Sequence, residues 1–130
     1  MRLLLDTCTV IWAVSEPENL PKDVKHALTH SDAEIFVSAI SCAEIACAVE
    51  RGRIELDRHW KSWFRYYTEF NGWQIVPVDL EVMEEAYSLP EYSDRDPADR
   101  IIVATARRLH LRVVTADRRM LDYPHVETVW

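Results

Sequence analysis

Short apolar runs alternate with longer stretches of helical periodicity along this chain. Arg2 to Leu5 (RLLL), Glu34 to Ser38 (EIFVS), Trp73 to Val78 (WQIVPV) and Arg112 to Thr115 (RVVT) read as strands, and Val126 to Val129 as a last one. Between them the spacing predicts helices over Pro21 to His30, Ser41 to Arg51 closed by Gly52, Asp57 to Asn71, Glu81 to Leu89 and Pro97 to Leu109. A short turn or helix follows Asp117. Strands alternating with helices predict an α/β fold whose parallel sheet is joined by crossover helices. Pro77 lacks the amide a central strand needs, so its strand should lie near an edge. No repeat, low-complexity tract or long linker interrupts the pattern, and residues 1–130 are expected to form a single domain.

Composition narrows the chemistry. With only Gly52 and Gly72, the chain cannot build a glycine-rich phosphate loop, which removes the Rossmann and P-loop routes to nucleotide binding. Cys8, Cys42 and Cys47 are odd in number and show no CxxC spacing, so neither a disulfide framework nor a thiolate zinc site is expected, and a cytoplasmic location fits. The apolar stretch from Cys8 to Val14, with Ala13-Val14-Ser15 after it, only faintly resembles a secretory leader, because Asp6 interrupts it and only Arg2 precedes it. No segment approaches the roughly 18 apolar residues that span a bilayer, so no membrane partner is expected. A net charge of −7 argues against phosphate binding over the whole surface, but not against a local site.

The carboxylates carry the most information. Asp6 directly follows the first strand and Asp117 follows VVTA of the fourth, and ligands of open α/β sheets sit at the carboxyl ends of strands. Glu44 and Asp99 fall in first turns of helices. Ser41-x-x-Glu44 matches a capping box, and Asp96-Pro97-Ala98-Asp99 offers a capping Asp, a first-turn Pro and a third-position acid, so helix capping alone accounts for any one of these residues. Yet Ile102, Val103 and Ala106 follow Asp99 at helical offsets, and Cys47 and Ala48 follow Glu44, which turns both acids toward the core. Several acids buried together need compensation. Lys22, Lys25 and Lys61 lie outside these motifs, so a divalent cation such as Mg²⁺ is the better candidate, and the scattered histidines do not indicate zinc.

Taken in order, LLLDTCTVIW, VSAISCAEIA, DPADRIIVATA, VVTADRRML and the closing VETVW resemble the PIN-domain ribonucleases, specifically the toxins of VapBC-type toxin-antitoxin pairs. The resemblance covers nearly the whole chain. It implies a PIN-like three-layer α/β/α sandwich with a parallel sheet of about five strands in the order 3-2-1-4-5. It also implies a catalytic and metal-holding quartet at Asp6, Glu44, Asp99 and Asp117, supported by Asp96 and Asp122 from behind or through water. With the first and fourth strands adjacent, Asp6 and Asp117 would share one metal. The implied activity is Mg²⁺- or Mn²⁺-dependent endonucleolytic cleavage of RNA, leaving 5′-phosphate and 3′-hydroxyl ends. The implied partners are a cognate antitoxin, docked beside the active site, and a second copy in a homodimer, with DNA reached only through the antitoxin. Cys8 stands where relatives often carry histidine or a small polar residue; it touches nothing essential in the acid set, and sensitivity of the site to oxidation or soft metals is the minor reading.

Arg100, Arg118 and Arg119 flank the acids and are candidates for substrate phosphates, the alternative being solvated or acid-paired surface residues. Trp60, Trp63, Phe64, Tyr67 and Phe70 form an aromatic stripe suited to core packing, to a groove for a partner helix, or to base stacking. Two rival functions stand beside the nuclease. One is a catalytically inactive PIN-like binding module, although all four quartet positions are filled. The other is a phosphoacceptor or phosphatase-like α/β domain, but Asp6-Thr7-Cys8 lacks a second acid and no lysine follows Lys61.

Overall fold

A computed structural model describes residues 1–130. Its sheet has five parallel strands, β1 (Arg2–Leu5), β2 (Glu34–Ser38), β3 (Gln74–Val76), β4 (Arg112–Val114) and β5 (Thr128–Val129), in the order β3-β2-β1-β4-β5. The helices are α1 (Thr7–Ser15), α2 (Lys22–Thr29), α3 (Ala39–Glu50), α4 (Trp60–Phe70), α5 (Leu80–Ala86), α6 (Pro97–Leu109) and α7 (Arg118–Leu121). Strand order, parallel pairing and the edge position of β3 before Pro77 agree with the expectations above.

The centre is β1, whose Leu3, Leu4 and Leu5 pair with Ile35, Phe36 and Val37 on one side and Arg112, Val113 and Val114 on the other. All three leucines are fully buried, as a strand covered on both faces must be. Their alternation splits the core into two layers. Leu3, Leu5, Val37 and Val114 face Val10, Val24, Ile45, Trp63 and Phe64 from the helices α1 to α4. Leu4, Phe36 and Val113 face Ile102, Val103 and Ala106 of α6, with Met120 of α7. Helix α5 rides outside α6 through Val82, Ala86, Ile101 and Ala104.

Local differences from the expected elements have identifiable causes. Helix α1 is absent from the periodic reading because TCTVIWAVS is rich in β-branched and aromatic residues and offers no charged face. It forms because Asp6 caps it and Thr9 and Val10 are buried. Helix α3 starts two residues before the expected Ser41, with Ser38 as the cap, its Oγ accepting from the Ile40 amide at 3.1 Å. The capping box at Ser41 and Glu44 is therefore corrected: both lie within the helix. At its other end Gly52 has φ of 69°, and the amides of Gly52 and Arg53 bond back to Val49 and Ala48, a Schellman closure that favours glycine there. Helix α4 begins at Trp60 rather than Asp57, since His59 caps it and Asp57 is drawn to Arg58 and Tyr67. Helix α5 ends at Ala86, short of Leu89, which precedes Pro90 and is disfavoured in helical geometry. No helix is long and apolar enough to cross a membrane.

Candidate active site

The carboxyl ends of β1 and β4 are adjacent, and the backbone ladder continues one step past them through the Asp6 amide and the Val114 carbonyl at 3.1 Å. Beyond that step the Asp6 side chain is held at both oxygens. Oδ1 accepts from the Thr7 amide at 2.8 Å, capping α1, and Oδ2 accepts from the Thr115 hydroxyl at 2.7 Å. The same hydroxyl accepts from the Asp117 amide at 2.9 Å. Thr115, fully buried, thus ties the two acids at the ends of neighbouring strands to one atom. Asp117 in turn caps α7, accepting from the Arg119 amide at 2.8 Å.

Glu44 comes from α3 and is fixed through α1. The Thr7 hydroxyl donates to Glu44 Oε1 and lies 2.8 Å from the Ser41 hydroxyl, both threonine and serine being buried. Asp99 sits in the first turn of α6, which Asp96 caps by accepting from the amides of Ala98 and Asp99 at 2.9 and 3.3 Å. Capping and membership of the acidic group are therefore compatible: Asp6 and Asp117 do both.

Asp94 is the residue the sequence did not reveal. Its side chain is only 1% exposed. Oδ1 accepts from the Asp96 amide at 3.0 Å and from Arg119 Nη1 at 3.2 Å, and the Tyr92 hydroxyl lies 3.5 Å from Oδ2. One carboxylate oxygen from each of Asp94, Asp99 and Asp117 lies within 4.8 Å of the others. The available signal was acid density: EYSDRDPAD holds four carboxylates in nine residues, which repel unless something neutralises them.

Electrostatics follow from this crowding. Asp99 is pushed up to about 9, first by burial, then by its hydrogen bond with Asp94 and the charges of Asp6, Asp94 and Asp96. Asp94 lies below the ordinary carboxylate value: burial pulls it upward, but hydrogen bonds from Asp99 and the Asp96 amide, with the Arg119 charge, outweigh that pull. The pair accordingly keeps its proton on Asp99. Asp6 and Glu44 are also raised, chiefly by burial, against the opposing threonine hydrogen bonds. At Cys8 the thiol is pushed up to about 11 by desolvation and then by the charges of Asp6, Glu44, Asp99 and Asp117. That shift lowers the thiolate fraction of Cys8 near neutral pH, while the residue itself is exposed.

The donor set of Asp94, Asp99 and Asp117 is oxygen-only and crowded, with Arg119 the one cation against it, which fits a hard divalent ion better than zinc. Over residues 3–126 the sequence matches the PIN domain. The chain belongs to the PIN-domain family. It is 37% identical over 130 residues to Ribonuclease VapC22 of Mycobacterium tuberculosis, covering 98% of each chain. Its fold is similar to VapBC2 from Rickettsia felis bound to a promoter DNA fragment, with a TM-score of 0.73 at 15% identity over 99% of this chain and 98% of that one. It is also similar to a toxin-antitoxin complex from Klebsiella pneumoniae, with a TM-score of 0.67 at 21% identity over 98% and 96% of the two chains.

In this PIN domain the flanking arginines take three different positions. Arg100 donates to the carbonyls of Ala86 and Tyr92 at 2.9 and 3.0 Å and lies over the Tyr87 and Tyr92 rings, an internal strap and not a free phosphate fork. Arg118 is 81% exposed and 3.9 Å from Asp122. Arg119 reaches back to Asp94. Asp122 is exposed at the far end of α7 against Arg118, and it lies outside the close group of Asp94, Asp99 and Asp117, as do Asp6, Glu44 and Asp96. The aromatic stripe divides as well. Trp63 and Phe64 enter the core, Trp60 and Tyr67 are half-buried, and Phe70 is 71% exposed. Beside it Ala39, Cys42, Trp60, Phe64 and Ile75 line a largely apolar groove of about 470 Å³ between α3 and α4.

Proposed function

We propose that this PIN domain, acting as one unit over residues 1–130, is a metal-dependent endoribonuclease and the toxin of a toxin-antitoxin pair. The observation that carries the reading is the close approach of Asp94, Asp99 and Asp117 at the carboxyl rim of the sheet, with Asp6 held beside Asp117 through Thr115. Support comes from the likeness to a protein named Ribonuclease VapC22.

Asp6, Glu44, Asp99 and Asp117 would hold a Mg²⁺ or Mn²⁺ ion. When bound, that ion supplies Lewis acidity toward the phosphodiester and its attacking water. The chain's own contribution is preorganisation. Thr115 fixes Asp6 to the strand end that leads into Asp117, and Thr7 with Ser41 fixes Glu44, so the oxygens need little reorganisation on loading. To serve as a ligand Asp99 would have to release its proton to solvent, since a ligating carboxylate is deprotonated. Arg118, exposed and held only by a long ion pair, is free to meet RNA phosphate.

The groove between α3 and α4 suits an apolar helix of the antitoxin, with Lys61 and Arg65 at its border for an acidic flank. Antitoxin binding, homodimerisation, contact with DNA through the antitoxin alone and a cytoplasmic location belong to the same reading. Digestion of total RNA with and without EDTA, with 5′-end mapping, tests it. Discrete fragments that vanish with EDTA and in Asp6→Asn are expected. Full cleavage by Asp6→Asn overturns the assigned site, and no cleavage by the wild type in Mn²⁺ overturns the nuclease in favour of an inactive binding module.

A further inference from the structure

Asp94 and Arg119 join two elements that separately carry acids of the site. Asp94 belongs to the segment leading into α6, whose first turn holds Asp99. Arg119 is the second residue of α7, whose cap is Asp117. The guanidinium reaches from α7 across to Asp94 at 3.2 Å, so the ion pair spans the gap between the two helix starts. At its base the Tyr92 and Tyr123 rings pack at a tilt of 51° with centroids 4.6 Å apart, and the Tyr123 hydroxyl donates to the Pro90 carbonyl at 2.6 Å. Asp94 is almost wholly enclosed whereas the Arg119 side chain is 69% exposed. A buried carboxylate therefore sits fixed, with a solvent-exposed arm pulling α7 onto it.

We propose that Asp94 and Arg119 are positioning residues, a strut that holds Asp99 and Asp117 at the spacing a divalent cation requires. The inference rests on the metal-site reading above and reassigns Arg119 from substrate phosphate to the site's own framework. Two physical effects of Arg119 oppose each other, which makes the strut testable. By Coulomb's law alone, a cation beside the acids repels a second cation, so its removal should tighten Mn²⁺ binding. As a strut it aligns the ligand oxygens, so its removal should loosen Mn²⁺ binding, by roughly tenfold if it behaves as groups that orient metal ligands commonly do.

The experiment measures Mn²⁺ uptake by the full chain through the electron paramagnetic resonance of free ion, alongside thermal unfolding and RNA-cleavage kinetics. For Arg119→Gln the expected result is roughly tenfold weaker Mn²⁺ binding, with the metal-free melting temperature within about 2 °C and the KM for RNA unchanged at saturating Mn²⁺. Arg119→Lys, which can still reach the single contacted oxygen, should recover most of the affinity. In Asp94→Asn the further change Arg119→Gln should add nothing, since the two act as one unit. Equal or tighter Mn²⁺ binding by Arg119→Gln overturns the strut, as does a raised KM for RNA with metal affinity intact. No uptake by the wild type instead takes down the metal site, and the strut with it.

Discussion

Replacing Asp99 by Asn should make the metal-free protein more stable while abolishing its cleavage of RNA. At pH 7 Asp99, with a value of about 9 against an ordinary 3.8, is protonated in the folded chain and ionised in the unfolded one. Folding must therefore capture a proton, which at 1.36 kcal/mol per unit costs at most about 4 kcal/mol at pH 7. Asn needs no proton, and its amide donates to Asp94 as the protonated acid does. Partial exposure and local relaxation reduce the gain, leaving about 1 to 2 kcal/mol, which in a domain of this size raises the melting temperature by about 4 to 8 °C. The gain must shrink as pH falls and disappear near pH 4, where the unfolded chain also protonates. Thermal unfolding of both proteins in EDTA from pH 4 to 8 measures it. Added Mn²⁺ should stabilise the wild type and leave the variant little changed, and cleavage should fall about a hundredfold or more. A variant less stable than wild type at pH 7, or a difference that does not vary with pH, refutes the reasoning.

In EDTA the wild type itself should lose stability as pH rises from about 4 toward 9, because Asp99, Asp6 and Glu44 all titrate higher in the folded state, which then binds more protons than the unfolded chain. Saturating Mn²⁺ should flatten or reverse that slope, and an unchanged slope would contradict the site. Thr115→Val keeps the shape but removes the hydroxyl shared by Asp6 and the Asp117 amide, so it should cost about 1 to 3 kcal/mol in chemical denaturation and reduce cleavage. An unaltered denaturation midpoint would show that the bridge is dispensable. Arg100→Ala should cost about 2 kcal/mol through two lost carbonyl contacts while leaving the KM for RNA unchanged. A raised KM at unchanged stability would return Arg100 to the phosphate.

How much of this was legible in the sequence depends on whether the deciding interactions are local. The leucine run of β1 declares a strand buried on both faces. Asp96-Pro97-Ala98-Asp99 declares a helix start, and both stand where they were read. Helix α1 was not legible, because Thr7, Thr9, Val10 and Ile11 favour extended structure and only the Asp6 cap and packing against α3 overrule them. The Ser41 hydroxyl illustrates the same limit from the opposite side: its sequence context suggests a cap, yet it is spent on Thr7, 34 residues away. Asp94 is the clearest case. Nothing in EYSDRDPAD distinguishes it from its exposed neighbours Glu91 and Asp96, and it becomes buried only because Tyr92 turns inward onto Tyr123, 31 positions further along. What remained open from sequence was whether the acids were caps or chemistry, and the fold makes the two roles compatible. Helices α1, α6 and α7 start at the acidic rim, so each capping acid is delivered there by the bond that starts its helix. The amide donors at those helix starts offset part of the carboxylate repulsion. They do not offset the burial of Asp99, which together with its hydrogen bond to Asp94 and the charges of Asp6, Asp94 and Asp96 keeps a proton on that carboxyl, and a divalent cation would take over the proton's role.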